Sequence, residues 1–441
     1  MPAAFEPAVL AADPGPRGDV LAALTGALAA GDPAAAVRRH FRRSRSGLQV
    51  GATWMPLPKG RVFVLAFGKA APAMAGAALD VLECSEVAGV VASPAGAPVG
   101  PLEAVAAGHP LPDAGSLKAG RRLLDLAGEA GRHDLVLVLV SGGGSALAEV
   151  PAAGLTLEDL HEANRALLRS GAPIAEVNTV RRHLSAFKGG RLAEAAAPAP
   201  LVSLILSDVV GSPLETIAGG PTVPDPTTFT AALAVLERWA VAPPRAVRVA
   251  LREGASGKRP ETPKSGKAFA WPVVIVADGA AAAEGAAAAA RERGLEAHTI
   301  STIVEGEARL VAERLTTVAR RLRAGEMAVF AGETTVTVAG TGRGGRNQEL
   351  ALAAGLALDG DRSGALVASF ATDGVDGPTD ATGGIGDDGT VIRGRERGLD
   401  AAAALAANDA LPYLEATGDL LRCGPTGTNV GDVMLAYRPR R

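Results

Sequence analysis

The sequence predicts an α/β protein of two domains, and three observations lead to this class. Short continuous apolar runs alternate with helical patterns, which is typical of a parallel sheet covered on both faces. Aromatic residues make up only 3% of the chain, while small apolar residues are plentiful, which suits tightly packed layers. The length of 441 residues exceeds one ordinary core and favours about two or three domains.

The first half of the chain has the pattern of a doubly wound, Rossmann-like domain over residues 1–240. Residues up to about Arg45 are predicted as leading helices, broken at "GDP". Strand–turn–helix units follow at "RVFVLAFGKAAPAMAGAALDVL" and "DLVLVLVSGGGSALAEV", with further apolar runs at "AGVVAS", "LEAVAAGHPLPD" and "LVSLILSDVVG". Two helices are expected at "SLKAGRRLLDLAGEA" and "TLEDLHEANRALLRSG", the second capped by Thr156.

The second half predicts another α/β domain over residues 271–441. Residues 241–270 are rich in Pro, Gly and charge, and are predicted as a linker or protruding loop. The run "VVIVADGAAAAEGAAAAARERG" then restarts a strand–helix unit. In "AGETTVTVAGTGRGGRNQELALA" a β-hairpin is expected to lead through a glycine-rich turn into a helix that starts at Arg346.

Composition disfavours several classes of function. The net charge is −3, so no basic footprint for nucleic acid exists, and the cluster "RRHFRRSRS" more readily ends a surface helix. Cys84 and Cys423 lack the spacing of a metal site and are expected as reduced thiols. No secretory leader or membrane-spanning run is evident, which favours a cytoplasmic protein. The oligomeric state stays open, a homodimer included.

Two candidate anion-binding features follow strands in the first domain. Ser141, Gly142, Gly143, Gly144 and Ser145 form a glycine turn between a strand and a helix, where backbone N–H groups and the helix N-terminus favour phosphate. Tight packing alone would also explain three glycines. Lys69 ends another strand, and the carboxyl ends of strands hold ligands in such sheets, although a solvated surface lysine is the alternative.

Further charged candidates lie in four other blocks. In "NTVRRHLSAFKGGRLA", the residues Arg181, Ser185 and Lys188 are spaced to share a helix face, while His183 is either a base or structural. Asp208 ends a strand before a long loop that carries Asp225, and a carboxylate at a strand end either holds Mg²⁺ or stabilises its loop as an N-cap or turn. The loop "ATDGVDGPTDATGG" carries three aspartates, Asp373, Asp376 and Asp380. The block "GPTGTNVGD" carries three polar side chains that donate to phosphate or to their own loop: Thr426, Thr428 and Asn429.

The glycine turn "GTGRGGRNQE" carries Arg343 and Arg346, which indicate either a flexible loop or an anion clamp. No metalloprotease, paired CxxC, nucleophile-elbow or protein-kinase motif is present. Lysine, arginine, aspartate and glycine loops remain, and this set suits phosphoryl transfer, which requires mainly positioning and charge neutralisation.

Together these blocks resemble the glycerate 2-kinases of the MOFRL family, also called class II glycerate kinases. The resemblance runs in order from about Arg61 to the C-terminus and departs near Asp278, where a serine–asparagine pair is expected. It implies a two-domain enzyme with its active site in the cleft between the domains. It also implies ATP-dependent phosphorylation of D-glycerate at the 2-hydroxyl with Mg²⁺, giving 2-phosphoglycerate and ADP, and catalytic roles for Lys69 and Arg346.

The resemblance and the candidate residues combine into one hypothesis. Gly142 to Ser145, with Ser141, Thr426 and Asn429, would bind nucleotide phosphates; Lys69 and Arg346 would neutralise the γ-phosphoryl group and the substrate carboxylate. Arg181, Arg343 and Asp376 are substrate-binding candidates, and Asp208 and Asp373 would hold Mg²⁺ or act as a base. The alternatives are a hydroxypyruvate reductase, which the missing GxGxxG fingerprint disfavours, and a non-catalytic sensor of sugar acids or phosphates.

Overall fold

A computed structural model describes residues 15–83 and 86–440, which its contacts group into two compact units. We call residues 36–206 and 212–276 the parallel-sheet unit, and residues 1–35, 207–211 and 277–441 the mixed-sheet unit. Cys84, predicted as a reduced thiol, lies outside the described residues. Within the described residues, no single helix is long and apolar enough to span a membrane, although the bent pair formed by the first two helices passes that test together.

The described strands are β1 Phe41–Arg43, β2 Gly47–Val50, β3 Thr53–Pro56, β4 Val62–Phe67, β5 Val87–Ser93, β6 Glu103–Ala106, β7 Leu135–Val140, β8 Leu201–Leu206, β9 Val273–Ala277, β10 Glu296–Glu307, β11 Glu326–Thr335, β12 Leu366–Ala371, β13 Gly383–Asp387, β14 Leu420–Leu421 and β15 Asp432–Arg438.

The described α-helices are α1 Pro16–Gly31, α2 Pro33–His40, α3 Ala71–Leu82, α4 Ala114–Glu129, α5 Gly144–Leu147, α6 Leu157–Arg169, α7 Ile174–His183, α8 Arg191–Ala196, α9 Phe229–Arg238, α10 Arg245–Ala255, α11 Gly279–Glu292, α12 Ala308–Arg321, α13 Arg346–Ala357, α14 Thr390–Arg395, α15 Ala401–Ala406 and α16 Ala410–Thr417.

The parallel-sheet unit has the strand order of a Rossmann fold. Its six strands run β6-β5-β4-β7-β8-β9, and β4 pairs in parallel with β5 on one side and with β7 on the other. The chain therefore winds outward from β4 in one direction and from β7 in the other, which makes β4/β7 the topological switch point. Strands β4, β7 and β8 are buried along their whole length, as their uninterrupted apolar runs predict. The predicted doubly wound class is confirmed.

The mixed-sheet unit contains a second six-stranded sheet, ordered β10-β11-β15-β12-β13-β14. Strand β11 is parallel to β10, and β15 runs antiparallel between β11 and β12. In this register Asp432 lies opposite Gly332 of β11 and Ala371 of β12. Strands β11 and β12 therefore end, and β15 begins, at the same edge of the sheet. The loops that carry the candidate residues adjoin these strand ends in the chain.

The contacts divide the chain at different residues from those predicted. Helix α1 belongs to the mixed-sheet unit because it packs on α11 at paired glycines. A Cβ at Gly26 would lie 2.5 Å from the carbonyl oxygen of Gly285, so these backbones approach too closely for any larger residue. Local periodicity predicts α1 but not the helix on which it packs, because Gly285 lies 259 positions after Gly26 in the chain.

Three local predictions are corrected and one is confirmed. Residues 241–270 contain helix α10, whose Val247 and Leu251 are fully buried, so this segment is not simply a linker. Strand β9, assigned from sequence to the second domain, extends the parallel sheet. The predicted hairpin is a single strand, β11, because its neighbours β10 and β15 come from distant segments. Thr156 caps α6, its hydroxyl accepting a hydrogen bond from the Asp159 N–H at 3.1 Å.

Candidate active site

Lys69 and the glycine turn lie together at the switch point of the parallel sheet. Strands β4 and β7 end at Phe67 and Val140, which are paired in register. The Lys69 N–H donates to the Gly142 carbonyl at 2.9 Å, and the Ala70 N–H donates to Ser141 Oγ at 3.0 Å. The Lys69 side chain is exposed. In doubly wound sheets the crevice at this point is the usual ligand site, so the fold places both features where a ligand binds.

The glycines of this turn are required by close contacts. Gly143 has φ +80°, and a Cβ there would lie 2.9 Å from His109 Cδ2 and 3.4 Å from Lys69 Cγ. His109 therefore lies against both the turn and the lysine stem, and burial, followed by the charge of Lys69, lowers the pKa of its imidazole. The helix after the turn, α5, has only four residues, so any phosphate affinity depends on the N–H groups of the turn more than on a helix dipole.

A pocket of about 570 Å³ lies beside this turn, and all its lining residues belong to the parallel-sheet unit. We call it the switch-point pocket. The predicted pair Arg181 and Lys188 lines it, with His109 and Ser145. Helix α7 ends at His183, so the expected common helix face does not exist, yet the fold brings both cations to the same cavity.

The two cations of the pocket differ in their partners. Lys188 is fully buried; its Nζ donates to the Ser145 carbonyl at 2.9 Å and to Glu149. Burial lowers the pKa of Lys188, while Glu149 opposes this shift. Arg181 donates from Nε to Asn164 Oδ1 at 2.8 Å and, among the described residues, has no carboxylate within ion-pair distance. Lys188 is thus neutralised and fastens the turn, whereas Arg181, whose charge Glu149 offsets only in part, adds positive charge to the pocket.

Asp225 and His183, both candidates from sequence, belong to a buried structural network. Arg182 Nε lies 3.0 Å from Asp225 Oδ1, and the Thr262 hydroxyl donates to Asp225 Oδ2 at 3.0 Å. His183 bonds through Nδ1 to the Thr179 carbonyl and through Nε2 to Glu261, at 2.8 and 2.9 Å. This network fastens residues 261 and 262 to α7, which explains why the segment predicted as a linker is ordered.

Arg346 is the first residue of α13 and forms an ion pair with Asp432 in the mixed-sheet unit. Its Nε and Nη2 donate to the two carboxylate oxygens of Asp432 at 2.5 and 2.9 Å, and its Nη1 lies 3.3 Å from Glu333. The Asp432 side chain is 0% exposed and that of Arg346 is 31% exposed. Burial alone would lower the pKa of Arg346, but the hydrogen bonds and charge of Asp432 raise it. The guanidinium is a permanent cation with one edge fixed on Asp432.

Asp376 caps the same helix from within the core. Its two carboxylate oxygens accept hydrogen bonds from the backbone N–H groups of Asn347 and Gln348, at 3.1 and 2.9 Å, and from both side-chain amides. Burial raises the pKa of Asp376 to about 6. Asp376, predicted to bind substrate, therefore holds the start of α13 and with it the backbone of Arg346.

The glycine loop before Arg346 is fixed by the segment around Asn408. Asn408 Oδ1 accepts from the N–H groups of Ala339 and Gly340, both at 2.9 Å, and Asp409 Oδ1 accepts from the Arg343 N–H at 2.7 Å. A Cβ at Gly340 would lie 2.1 Å from the Ala407 carbonyl oxygen. These contacts exclude the flexible-loop interpretation for the backbone, while the Arg343 side chain stays exposed.

Both units are similar to known protein families. Residues 19–252 match the family described as "Domain of unknown function (DUF4147)", and residues 326–432 match the MOFRL family. D-glycerate 2-kinase of Thermotoga maritima is 42% identical over 86% of this chain and 92% of its own length. The chain belongs to the glycerate 2-kinase family. The resemblance and the two-domain α/β fold predicted from sequence are confirmed.

Two further comparisons bear on the fold and activity of this glycerate 2-kinase family member. The crystal structure of a Thermotoga maritima glycerate kinase aligns with a TM-score of 0.83 at 39% identity, covering 94% of this chain and 97% of the other. An Agrobacterium vitis protein named provisionally as a hydroxypyruvate reductase is 42% identical over 85% of this chain and 87% of its own length.

The two metal candidates of this family member are fastened to one loop of the mixed-sheet unit. Asn429 Nδ2 donates to Asp208 Oδ2 at 3.2 Å, and the Thr426 N–H donates to the Asp373 carbonyl at 3.3 Å. The Thr426 hydroxyl donates to the Thr372 carbonyl at 2.6 Å, so it stabilises the loop. No group of three or more metal-ligating side chains exists among the described residues. One or two carboxylates fit Mg²⁺ that is otherwise held by water and phosphate oxygens.

Sequence reasoning missed His109, Asp432 and Glu333. Asp432 ends the quoted block "GPTGTNVGD", but nothing local pairs it with Arg346, which is 86 positions away. In the sequence His109 belongs to an apolar run that ends at two prolines. The available signal was its position in the loop that follows β6, because such loops carry ligand contacts in this fold.

Proposed function

We propose that this protein transfers the γ-phosphoryl group of ATP to the 2-hydroxyl of D-glycerate, giving 2-phosphoglycerate and ADP. The observation that carries the proposal is the extensive similarity to D-glycerate 2-kinase, which spans both units. The chemistry of the chain agrees with it. Exposed or partly exposed cations and glycine turns follow several strands, and phosphoryl transfer depends mainly on such positioned charge.

In the parallel-sheet unit, Lys69 is the group proposed to meet the transferring phosphoryl. Its backbone is held by the glycine turn, and its ammonium is exposed. The N–H groups of Gly142 to Ser145 are proposed to bind the nucleotide phosphates, with Lys188 holding the turn through the Ser145 carbonyl. The point charge of a lysine suits the mobile oxygens of a transferring phosphoryl group.

In the mixed-sheet unit, Arg346 is the second proposed catalytic residue. Asp432 fixes the Nε and Nη2 edge of its guanidinium, which leaves Nη1, now near the partly exposed Glu333, to meet an anion. Arg343 is proposed to support it at the substrate carboxylate, since its side chain is exposed on a fixed backbone. Asp376 acts by holding the first turn of α13, and this fixes the position of Arg346.

Asp208 and Asp373 are the proposed ligands of Mg²⁺. When bound, the ion neutralises charge on the nucleotide phosphates. Asn429 orients Asp208, and the Val375 N–H orients Asp373 by donating to its Oδ1 at 3.0 Å. Either carboxylate is also a candidate to accept the proton of the substrate hydroxyl, so substitution must separate the two roles.

A coupled assay for ADP release across a panel of hydroxy acids tests this function. The expected result is glycerate-dependent ADP release with 2-phosphoglycerate as the product, identified by its conversion with enolase alone. Formation of 3-phosphoglycerate would overturn the assigned hydroxyl. Oxidation of NADH by hydroxypyruvate without ADP formation would instead support the reductase, and binding of glycerate without any turnover would support the sensor.

A further inference from the structure

The switch-point pocket has an apolar wall that the roles assigned so far do not use. Four leucines line it, supplied by α6, the segment after α7 and the loop after His109: Leu111, Leu160, Leu168 and Leu184. Leu111 and Leu168 are each 58% exposed. Two large apolar side chains held open at the rim of one cavity indicate a ligand with an apolar face.

The same pocket also carries net positive charge. Lys188 is paired with Glu149, and Arg181, whose side-chain hydrogen bonds go to the amide oxygens of Asn164 and Asn178, has that same carboxylate as its nearby opposite charge. Two cations that share one carboxylate favour a further anion nearby, because the desolvation of Arg181 is offset only in part. The glycine turn borders this cavity through Gly143 and Ser145.

The ligand therefore needs an apolar planar or bulky part joined to an anionic part. D-glycerate has three carbons and carries a polar group on each, so it matches neither the four leucines nor a cavity of about 570 Å³. A nucleotide matches both features, since its base is apolar on its faces and its phosphates are anionic.

We propose that the switch-point pocket holds the nucleoside of the nucleotide, with the base against Leu111, Leu160 and Leu168 and the phosphates directed from Arg181 toward Ser145 and Lys69. This deepens the proposed function and rests on it for the identity of the reaction. It moves Arg181 from the glycerate site to the nucleotide site. Asn164, whose Oδ1 is engaged by Arg181, keeps its amide Nδ2 as a donor to a ring nitrogen of the base.

The test compares two variants of the full-length protein, each with an exposed aliphatic side chain replaced by aspartate. Leu168→Asp places a charge on the apolar rim, and Ile174→Asp places one on a residue of similar exposure, 58% against 56%, in the same unit but outside the pocket. For Leu168→Asp we expect the Kd of ADP, measured by calorimetry without turnover, and the KM of ATP to rise about tenfold or more. The KM of D-glycerate should stay within about twofold, and Ile174→Asp should change neither.

A second measurement does not depend on the stability of any variant. Wild-type protein is irradiated with 8-azido-ADP, and the labelled peptide is identified. Label within residues 109–112 or 157–169, suppressed by ADP, is the expected result. Label elsewhere, or a Leu168→Asp effect confined to the KM of D-glycerate, would overturn the assignment of the pocket to the nucleoside. ADP binding at this pocket with no phosphorylation of any acid would refute the kinase function and leave the site standing.

Discussion

Replacing Arg346 tests whether it acts in catalysis or only neutralises a buried carboxylate. Two hydrogen bonds of 2.5 and 2.9 Å join it to Asp432, whose side chain is 0% exposed. Among the described residues, Arg346 is the only cation that forms an ion pair with Asp432, and Arg346→Ala removes it. Loss of activity in that variant alone would not distinguish chemistry from misfolding, so the change is made with and without Asp432→Asn.

The magnitude follows from the burial of Asp432. Removing one partner of a buried ion pair typically costs about 3–5 kcal/mol, because a charge is left without compensation. Burial already raises the pKa of Asp432 against the opposing effect of Arg346, and loss of Arg346 raises it further. A carboxyl whose folded pKa is raised loses stability as pH increases through that pKa, so the deficit of Arg346→Ala should be smaller at acidic pH than at pH 8.

The double variant separates the two roles. Asp432→Asn removes the buried carboxylate that Arg346 compensates, and the free energy of unfolding should return to within about 2 kcal/mol of the wild type. If Arg346 stabilises the transferring phosphoryl group, kcat should stay roughly 10³-fold low in both variants, by analogy with other phosphoryl-transfer arginines.

The unfolding assay has to report on the mixed-sheet unit, which contains Arg346 and Asp432. All three tryptophans, Trp54, Trp239 and Trp271, lie in the parallel-sheet unit, so their fluorescence reports on that unit. Urea unfolding is therefore followed by far-UV circular dichroism, and amide hydrogen exchange is measured over α13 and β15, where the destabilisation should be concentrated. Tryptophan fluorescence serves as the internal control.

Arg393→Ala supplies a control variant at a second buried carboxylate. Its Nη2 lies 2.6 Å from Asp419, a side chain of 0% exposure in the same unit, which keeps Arg17 as another cationic partner, so the loss of stability should be smaller than in Arg346→Ala. This variant should lose stability while kcat of the folded protein stays near the wild-type value. Recovery of kcat in Arg346→Ala/Asp432→Asn together with recovery of stability would refute the catalytic role and leave Arg346 as a purely structural residue.

Three further predictions follow from individual contacts. Lys69→Ala should lower kcat at least roughly 10³-fold while the unfolding midpoint stays unchanged, since the side chain is exposed. The control is Lys118→Ala, which replaces an exposed lysine on α4. Near-native turnover by Lys69→Ala would contradict the assignment. Gly143→Ala should raise the KM of ATP and lower the free energy of unfolding by about 1–3 kcal/mol, because its Cβ would lie 2.9 Å from His109. The control is Gly171→Ala, at a similar φ of +76° with nothing within 4 Å, which should lose less stability and leave the KM unchanged. Equal losses of stability in the two variants would exclude the steric reason. Wild-type protein should lose about 3 kcal/mol of stability relative to Asp376→Asn as pH rises from about 3 to 7, because the folded state keeps the Asp376 proton up to a pKa of about 6 while the unfolded carboxyl releases it earlier. Parallel urea-unfolding profiles of the two proteins would disprove this.

The positions of candidate residues were predicted correctly where the evidence for them lay in contiguous residues. Lys69 and the glycine turn were placed correctly at strand ends, because a buried strand followed by Gly has a recognisable local pattern. The predicted helix that was to carry both Arg181 and Lys188 ends at His183, yet both residues reach one pocket through the course of the chain after it. Asp376 was selected from a loop of three aspartates, but its role as a cap depends on residues nearly thirty positions away.

The α/β class, the doubly wound first half and the family could be predicted from the amino-acid sequence, since buried strands, glycine turns and motif blocks are properties of contiguous residues. The unit that α1 joins, the extension of the parallel sheet by β9 and the ion pair between Arg346 and Asp432 became evident only from the folded chain. Burial and ion pairing depend on which distant segments meet, and no local pattern contains that information. In "GTGRGGRNQE" the glycines were visible from the start, but the carboxylates that fix the turn and its arginine come from residues 376, 409 and 432.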